Sequence, residues 1–243
     1  MLHNTDKVLR PRPLHRMFTE VPRRYDLINH IITWGFDKRW RRKAARECII
    51  SQPGNMLDLC CGTGDLLINL ALLTKNGVEL TGIDYSKPML EIATKKAASL
   101  AGGRKLTFIY GDAARLPFPD GYFDCVGISF AFRNLTYNNP LVQRHLAEVL
   151  RVLNAGGRYV IVETSQPKSK LIRKLYHLYL RWFVFRLGYM LSGDRKAYRY
   201  LAESASRFYT SEEVKEILFA AGFRQVSFHP LFWGVTGIHV AVK

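Results

Sequence analysis

Apolar residues fall in short runs along this chain, separated by polar and glycine-bearing stretches, and the runs alternate between two periods. Residues 56–60 (MLDLC), 79–83 (ELTGI), 106–110 (LTFIY), 125–130 (CVGISF) and 158–163 (RYVIVE) read as buried strands. Between them, residues 65–74, 87–99 and 139–153 carry helical spacing, with Pro88 and Pro140 near two of the starts. The paired Gly156-Gly157 is expected to end the helix before the fifth strand. Residues 211–223 form a further helix that Thr210 or Ser211 can cap, and VSFHPLF and GIHVAVK close the chain as an antiparallel hairpin. Strand-helix alternation of this kind implies a parallel sheet covered on both faces, with ligands at the carboxyl ends of the strands.

Two stretches lie outside this pattern, residues 1–50 and 168–202, both expected to be helical. They also hold the charge. The chain carries a net +16; residues 1–50 hold 12 Lys/Arg against 5 Asp/Glu, and residues 165–200 hold 9 against 1. Such patches attract an anionic membrane surface or nucleic acid. The most apolar segment, 171–191, is interrupted by Arg173, Lys174, Arg181 and Arg186, so no bilayer span is expected. Within it, positions 171, 175, 178, 182, 185 and 189 fall at helical spacing. This suits a helix lying in a membrane interface, one walling a tunnel, or an ordinary packed helix. The first residues show no apolar signal core and the four cysteines no CxxC spacing, so a cytoplasmic protein with reduced thiols is expected. No cluster has metal-ligand spacing.

The strand ends carry the candidate chemistry. After the first strand comes Gly62-Thr63-Gly64, where glycine lets the backbone approach a ligand at a helix start. The second strand ends at Asp84, 20 residues past Gly64, placed to accept both hydroxyls of a ribose. The third ends at Asp112-Ala113, where a carboxylate can accept the exocyclic amine of adenine. Two acids and no phosphate-binding basic set describe a nucleoside without phosphates, which fits S-adenosylmethionine (SAM). The GxGxxG of a dinucleotide site is not met, because Leu67 stands at its last position, and no P-loop GK[ST] follows. Cys60 occupies the place of a third glycine common in SAM enzymes, a place expected to need only a small side chain.

At this point the residues resemble the ubiquinone/menaquinone-biosynthesis C-methyltransferases (UbiE/MenG-type). The resemblance rests on FTEVPRRYDLINHIITWGFDKRWRR (18–42), LDLCCGTGD (57–65), LPFPDGYFDCVGISFAFRNLTY (116–137) and RVLNAGGRYVIVETSQP (151–167), with AYRYLAES (197–204) as a further near match. In the fourth stretch Asn154-Ala155 replaces the family's Lys-Pro and Thr164 its Phe. The fold this implies is α/β. It is a class I SAM-dependent methyltransferase, Rossmann-like, with a seven-stranded mainly parallel sheet, a C-terminal antiparallel hairpin and helical additions. Residues 51–243 would form the methyltransferase domain with 168–202 inserted, and residues 1–50 a basic helical segment covering the site.

The resemblance implies SAM-dependent C-methylation of a prenylated quinol ring: 2-demethylmenaquinol to menaquinol, or the related benzoquinol step. By motif match, Thr63, Asp84, Asp112, Ala113 and Ser129 look like SAM contacts, and Asp58, Gly62, Gly64 and Tyr85 complete the cofactor set. Arg133 and Asn134 of FRN, with Tyr25 of RRYD, look like the catalytic, substrate-side groups. A quinol ring carbon is nucleophilic because its oxygens feed the ring, whereas an oxidised quinone is electron-poor. Arg133 can stabilise the developing oxyanion or order a water, or it can simply hold its loop by a salt bridge. His145 is expected to be structural, and His30 and His177 lie in the two additional segments. The expected partners are a prenylated quinol and, peripherally, the inner face of the membrane, with a homodimer left open. Another lipid-like or aromatic acceptor stays open as well. Nucleic acid is disfavoured because SFAF stands where amino-group methyltransferases carry a DPPY-type tetrad. The acids argue against a non-catalytic scaffold.

Overall fold

The computed structural model describes residues 22–192 and 195–243, without the side chains of residues 22–25, 192 and 197. Seven strands form one sheet: β1 (Asn55–Leu59), β2 (Glu79–Asp84), β3 (Thr107–Tyr110), β4 (Phe123–Ser129), β5 (Leu153–Thr164), β6 (Gln225–Leu231) and β7 (Thr236–Val242). Their order is β3-β2-β1-β4-β5-β7-β6. The first five strands run parallel, and β7 runs antiparallel to both β5 and β6. The order reverses between β1 and β4, and the carboxyl ends there are where an open sheet of this kind leaves a crevice.

The period of two sorts side chains onto the two faces. On β5, Tyr159 and Ile161 join one core with Leu57 and Leu59, while Val160 and Val162 join the other with Met56. Helix α1 (Pro22–Ile32) is followed by α2 (Phe36–Ile49), which sends Trp40, Ala44, Ala45 and Cys48 into the second core. The described part of the basic amino-terminal stretch, from residue 22 on, is therefore a layer of the fold. Helices α3 (Asp65–Leu73) and α4 (Lys87–Leu100) follow β1 and β2. The Ser86 hydroxyl caps α4, and Thr210 with Glu213 forms a reciprocal capping box on α10 (Ser211–Ala220).

Three boundaries differ from the sequence expectation. A short helix, α5 (Phe132–Thr136), carries the FRN residues that read as a loop. Helix α6 (Val142–Val152) ends before the glycine pair, which lies inside β5 instead; Gly156 supplies a positive φ of 76° there. The segment after β5 is also not one continuous helix. It runs as α7 (Lys170–Tyr179), a π-helical turn (Leu180–Val184), α8 (Phe185–Ser192) and α9 (Arg195–Ser206). Tyr176, Leu180 and Val184 form its buried side. Of the expected stripe, Leu171, Leu175, Leu178 and Trp182 are exposed by 68, 57, 53 and 52%, with Leu175 also lining the apolar cavity described below, while Phe185 packs against the buried side.

Candidate functional site

The turn after β1 is built on left-handed backbone. Cys60, Gly62 and Gly64 have φ of 54°, 54° and 80°. The glycine that Cys60 replaces is thus favoured for its backbone freedom, which a small side chain does not supply. A β-carbon on Gly64 would sit 3.1 Å from that of Ala93 and 3.3 Å from the Phe108 ring, so the turn packs tightly onto its neighbours. A β-carbon on Gly62 would meet nothing within 4 Å, so this edge of the turn faces open space. Burial raises the Cys60 and Cys61 thiols well above their usual range, which opposes any thiolate role.

The Asp84 carboxylate closes the turn. Its Oδ2 accepts from Gly62 N at 2.8 Å and its Oδ1 from Ser86 N at 2.8 Å. Burial raises its pKa, and those backbone bonds pull it back. Gly62, Thr63, Asp84, Tyr85 and Ser129 line a cleft of about 170 Å3 beside the turn. Asp58, Gly64, Asp112 and Ala113 are not among its lining residues. Asp58 is buried behind the turn, where its Oδ2 accepts from Leu67 N at 3.0 Å at the start of α3. Desolvation lifts its pKa to about 8 against that bond, helped by the charge of Asp84. Asp112 turns its Oδ1 to Ala114 N at 2.9 Å, while Tyr110 next to it on β3 stacks on Tyr85 at 5.4 Å.

A second, apolar cavity of about 640 Å3 lies between the amino-terminal helices and the segment after β5. It meets the cleft at three residues that line both: Arg41, Phe130 and Asn134. Trp34, Phe130, Phe232 and Trp233 line it from positive φ of 53°, 56°, 44° and 53°, conformations that bulky residues adopt at a cost and that cluster at functional sites. Tyr179 OH donates to Ile32 O at 2.5 Å and accepts from Trp34 Nε1 at 3.2 Å, which ties the α7 wall to the α1–α2 corner.

The substrate-side candidates meet here in part. Asn134 is at the junction, and its buried Oδ1 has no partner among the described residues. Arg133 lines the apolar cavity, but its Nη1 donates to Leu201 O at 3.2 Å and to Ser204 Oγ, holding α9 against α5. Its Nε has no partner among the described residues. Tyr25 stands in the first turn of α1, with its side chain outside the described residues. His145 bonds Leu135 O at 3.0 Å and His177 bonds Gln166 Oε1 at 2.8 Å, both bracing backbone or insertion.

Five residues that the sequence reading passed over stand at or next to these spaces: Asp26, Asp37, Arg41, Asp65 and Lys96. Thr63 Oγ1 donates to Asp26 Oδ1 at 2.7 Å, and Lys96 Nζ donates to Asp26 Oδ2 at 2.8 Å and also to Asp65. Arg41 is the one Lys or Arg among the described residues lining the cleft. Its Nη1 bonds Asp37 Oδ2 at 2.5 Å, its Nε bonds Ser129 Oγ at 3.1 Å, and its guanidinium lies over Phe130 at 5.3 Å. Asp26 stands in YDLIN, and Asp37 and Arg41 in FDKRWRR, so both segments were in view as motifs while the contacts were not.

Residues 6–243 match the model of the ubiE/COQ5 methyltransferase family. The demethylmenaquinone methyltransferase of Thermus thermophilus is 42% identical over 227 residues, covering 92% of this chain and 98% of the relative. That of Thermotoga maritima is 40% identical over 226 residues, covering 93% of each. The solved structure of a SAM-dependent methyltransferase from Aquifex aeolicus shares the fold at TM-score 0.54 and 20% identity, covering 77% of this chain and 80% of that one.

Proposed function

Since this chain belongs to the ubiE/COQ5 methyltransferase family, we propose that it methylates the ring carbon of a reduced, prenylated demethylmenaquinol. It is a SAM-dependent methyltransferase of the class I fold. The observation that carries the acceptor assignment is the pairing of two spaces. A cleft beside a glycine turn and an apolar cavity of about 640 Å3 share Arg41, Phe130 and Asn134 as walls. A small polar acceptor has no use for such a volume; a ring bearing an isoprenoid chain does.

SAM supplies a methyl group on a positively charged sulfur. The residues fit such a donor: Asp84 offers acceptor oxygens to ribose hydroxyls, and Arg41 offers the cleft's positive charge to the methionyl carboxylate. Asn134 Oδ1 accepts from a ring hydroxyl and orients the ring at the junction. Arg133 keeps its charge beside the cavity, where it favours the ring's phenolate, while its bonds to α9 fix that wall. Positioning dominates here, because alkyl transfer from a sulfonium needs alignment more than acid chemistry.

The outer rim supports contact with a membrane surface. Trp34 and Trp233, at the cavity, are 71% and 73% exposed, and the outward stripe of α7 lies beside Lys170, Arg173, Lys174 and Arg181. Exposed indole rings among cations suit an anionic lipid interface, from which the prenyl chain can enter directly. No helix among the described residues is long and apolar enough to cross a membrane. The acceptor assignment is tested by transfer of labelled methyl to short-chain demethylmenaquinol, with a benzoquinol analogue and bulk RNA alongside. Preference for the naphthoquinol is expected; transfer to RNA alone overturns it.

A further inference from the structure

Methylation at a ring carbon leaves that carbon with a proton to lose, which a carboxylate of the apolar cavity can take. Two carboxylates among the described residues line that cavity, Asp37 and Glu163. Glu163 is bound inward: its Oε2 accepts from Arg133 N at 3.1 Å, and its Oε1 from Thr164 N at 2.8 Å and Thr164 Oγ1 at 3.0 Å. None of these partners, two backbone amides and a hydroxyl, is a group that can take a proton on. Asp37 differs. Its side chain is 6% exposed, yet its Oδ1 bonds His30 Nδ1 at 2.9 Å, and the His30 side chain is 41% exposed. Thr33 Oγ1 also donates to Oδ1 at 3.1 Å, and Arg41 Nη1 holds Oδ2 at 2.5 Å. Arg41 in turn borders the cofactor cleft, so Asp37 stands one guanidinium away from it.

We propose that Asp37 takes the ring proton released by methylation and that His30 passes it to solvent. The inference rests on the quinol acceptor proposed above. In the reaction the ring carbon forms its bond to the methyl group as the sulfur–methyl bond breaks, and that electron pair stays on sulfur. The carbon–hydrogen pair then returns to the ring and restores its aromaticity. The proton goes to an Asp37 oxygen and from that carboxyl to Nδ1 of His30, in the tautomer whose hydrogen sits on Nε2, and the Nε2 hydrogen leaves to water. A weak base suffices, because rearomatisation drives the step; an ionised carboxylate next to Arg41 is therefore adequate. The buried charge has a use beyond anchoring Arg41, since a purely anchoring carboxylate needs no imidazole that reaches the surface.

The test uses the full chain with ring-deuterated and ring-protiated demethylmenaquinol. His30→Gln keeps a hydrogen-bonding side chain but cannot carry a proton. We expect kcat to fall about 10²-fold, SAM affinity by calorimetry to stay unchanged, and a ring-deuterium isotope effect to appear that the unmodified enzyme lacks. A His30 ring lies 3.0 Å from where a Gly35 β-carbon would be, so His30→Ala opens a ring-sized gap at the surface, and added imidazole should restore turnover. Wild-type kcat in His30→Gln with no isotope effect overturns the relay. Failure of the unmodified enzyme to methylate any quinol overturns the acceptor assignment instead, and the relay with it.

Discussion

Thr63 Oγ1 donates a 2.7 Å hydrogen bond to Asp26 Oδ1, joining the glycine turn to a helix 37 residues earlier in the chain. The same carboxylate takes Lys96 Nζ at 2.8 Å. The glycine turn beside the cleft is therefore tied to α1, which also lines the apolar cavity through Asn29 and Ile32. Asp26→Ala should weaken SAM binding by about 1 kcal/mol, roughly fivefold, a figure kept low because Asp26 is partly exposed. Isothermal calorimetry on the folded variant checks it.

Asp84 is the acid whose loss should cost most. Its oxygens close the turn through Gly62 N and Ser86 N and face the cleft. Asp84→Ala should lower SAM affinity by about 1–3 kcal/mol, or about 5- to 150-fold. Unchanged affinity in a folded protein would remove Asp84 from the cofactor site.

Arg41 can be separated from the rest of the cleft by choice of ligand. Arg41→Met should weaken binding of S-adenosylhomocysteine, which carries the amino-acid carboxylate. Binding of methylthioadenosine, which lacks it, should be nearly unchanged. Equal losses for both ligands would make Arg41 a structural pillar rather than a carboxylate partner.

Asp58 predicts a pH dependence of stability. Its folded pKa, raised by burial to about 8, lies above the ordinary carboxylate value, so between roughly pH 4 and 8 the folded state binds the extra proton. The stability this gives is present below the unfolded pKa and declines as pH rises towards 8. Asp58→Asn keeps an acceptor for Leu67 N without the titration. Urea unfolding of the protein without ligand should show a flatter profile from pH 5 to 8 in the variant; parallel profiles contradict the assignment.

The rim makes a prediction about partition. Replacing Trp34 and Trp233 together by Ser should reduce co-sedimentation with vesicles containing anionic lipid while leaving SAM affinity intact, because both indoles are exposed and border the apolar cavity rather than the cofactor cleft. Retained vesicle binding would place any membrane contact elsewhere.

The sheet was legible in the sequence because its strands are buried on both faces and so stand out as apolar runs, as in residues 56–60 and 158–163. Asp84 was legible as a candidate because it is the last residue of the second strand, and it lines the cleft. What failed to show was geometry between distant residues. Asp26, Lys96 and Thr63 meet across 37 and 33 residues, and no local pattern marks them as partners. The spacing of residues 171–189 left open an interface helix, a tunnel wall and a packed helix; the π turn at Leu180–Val184 and the buried Tyr176, Leu180 and Val184, which decide which side packs, carry no local signal. Cys60 hid its reason too, since a left-handed backbone is invisible when the residue holding it is not glycine.

The most direct measurement is methyl transfer from labelled SAM to short-chain demethylmenaquinone with and without dithionite. The proposed reaction takes its nucleophile from the ring, whose carbon is electron-rich only when the quinone is reduced. Transfer to the reduced ring alone is the predicted result. Equal transfer to the oxidised quinone, or none to the quinol while SAM still binds, would contradict the account.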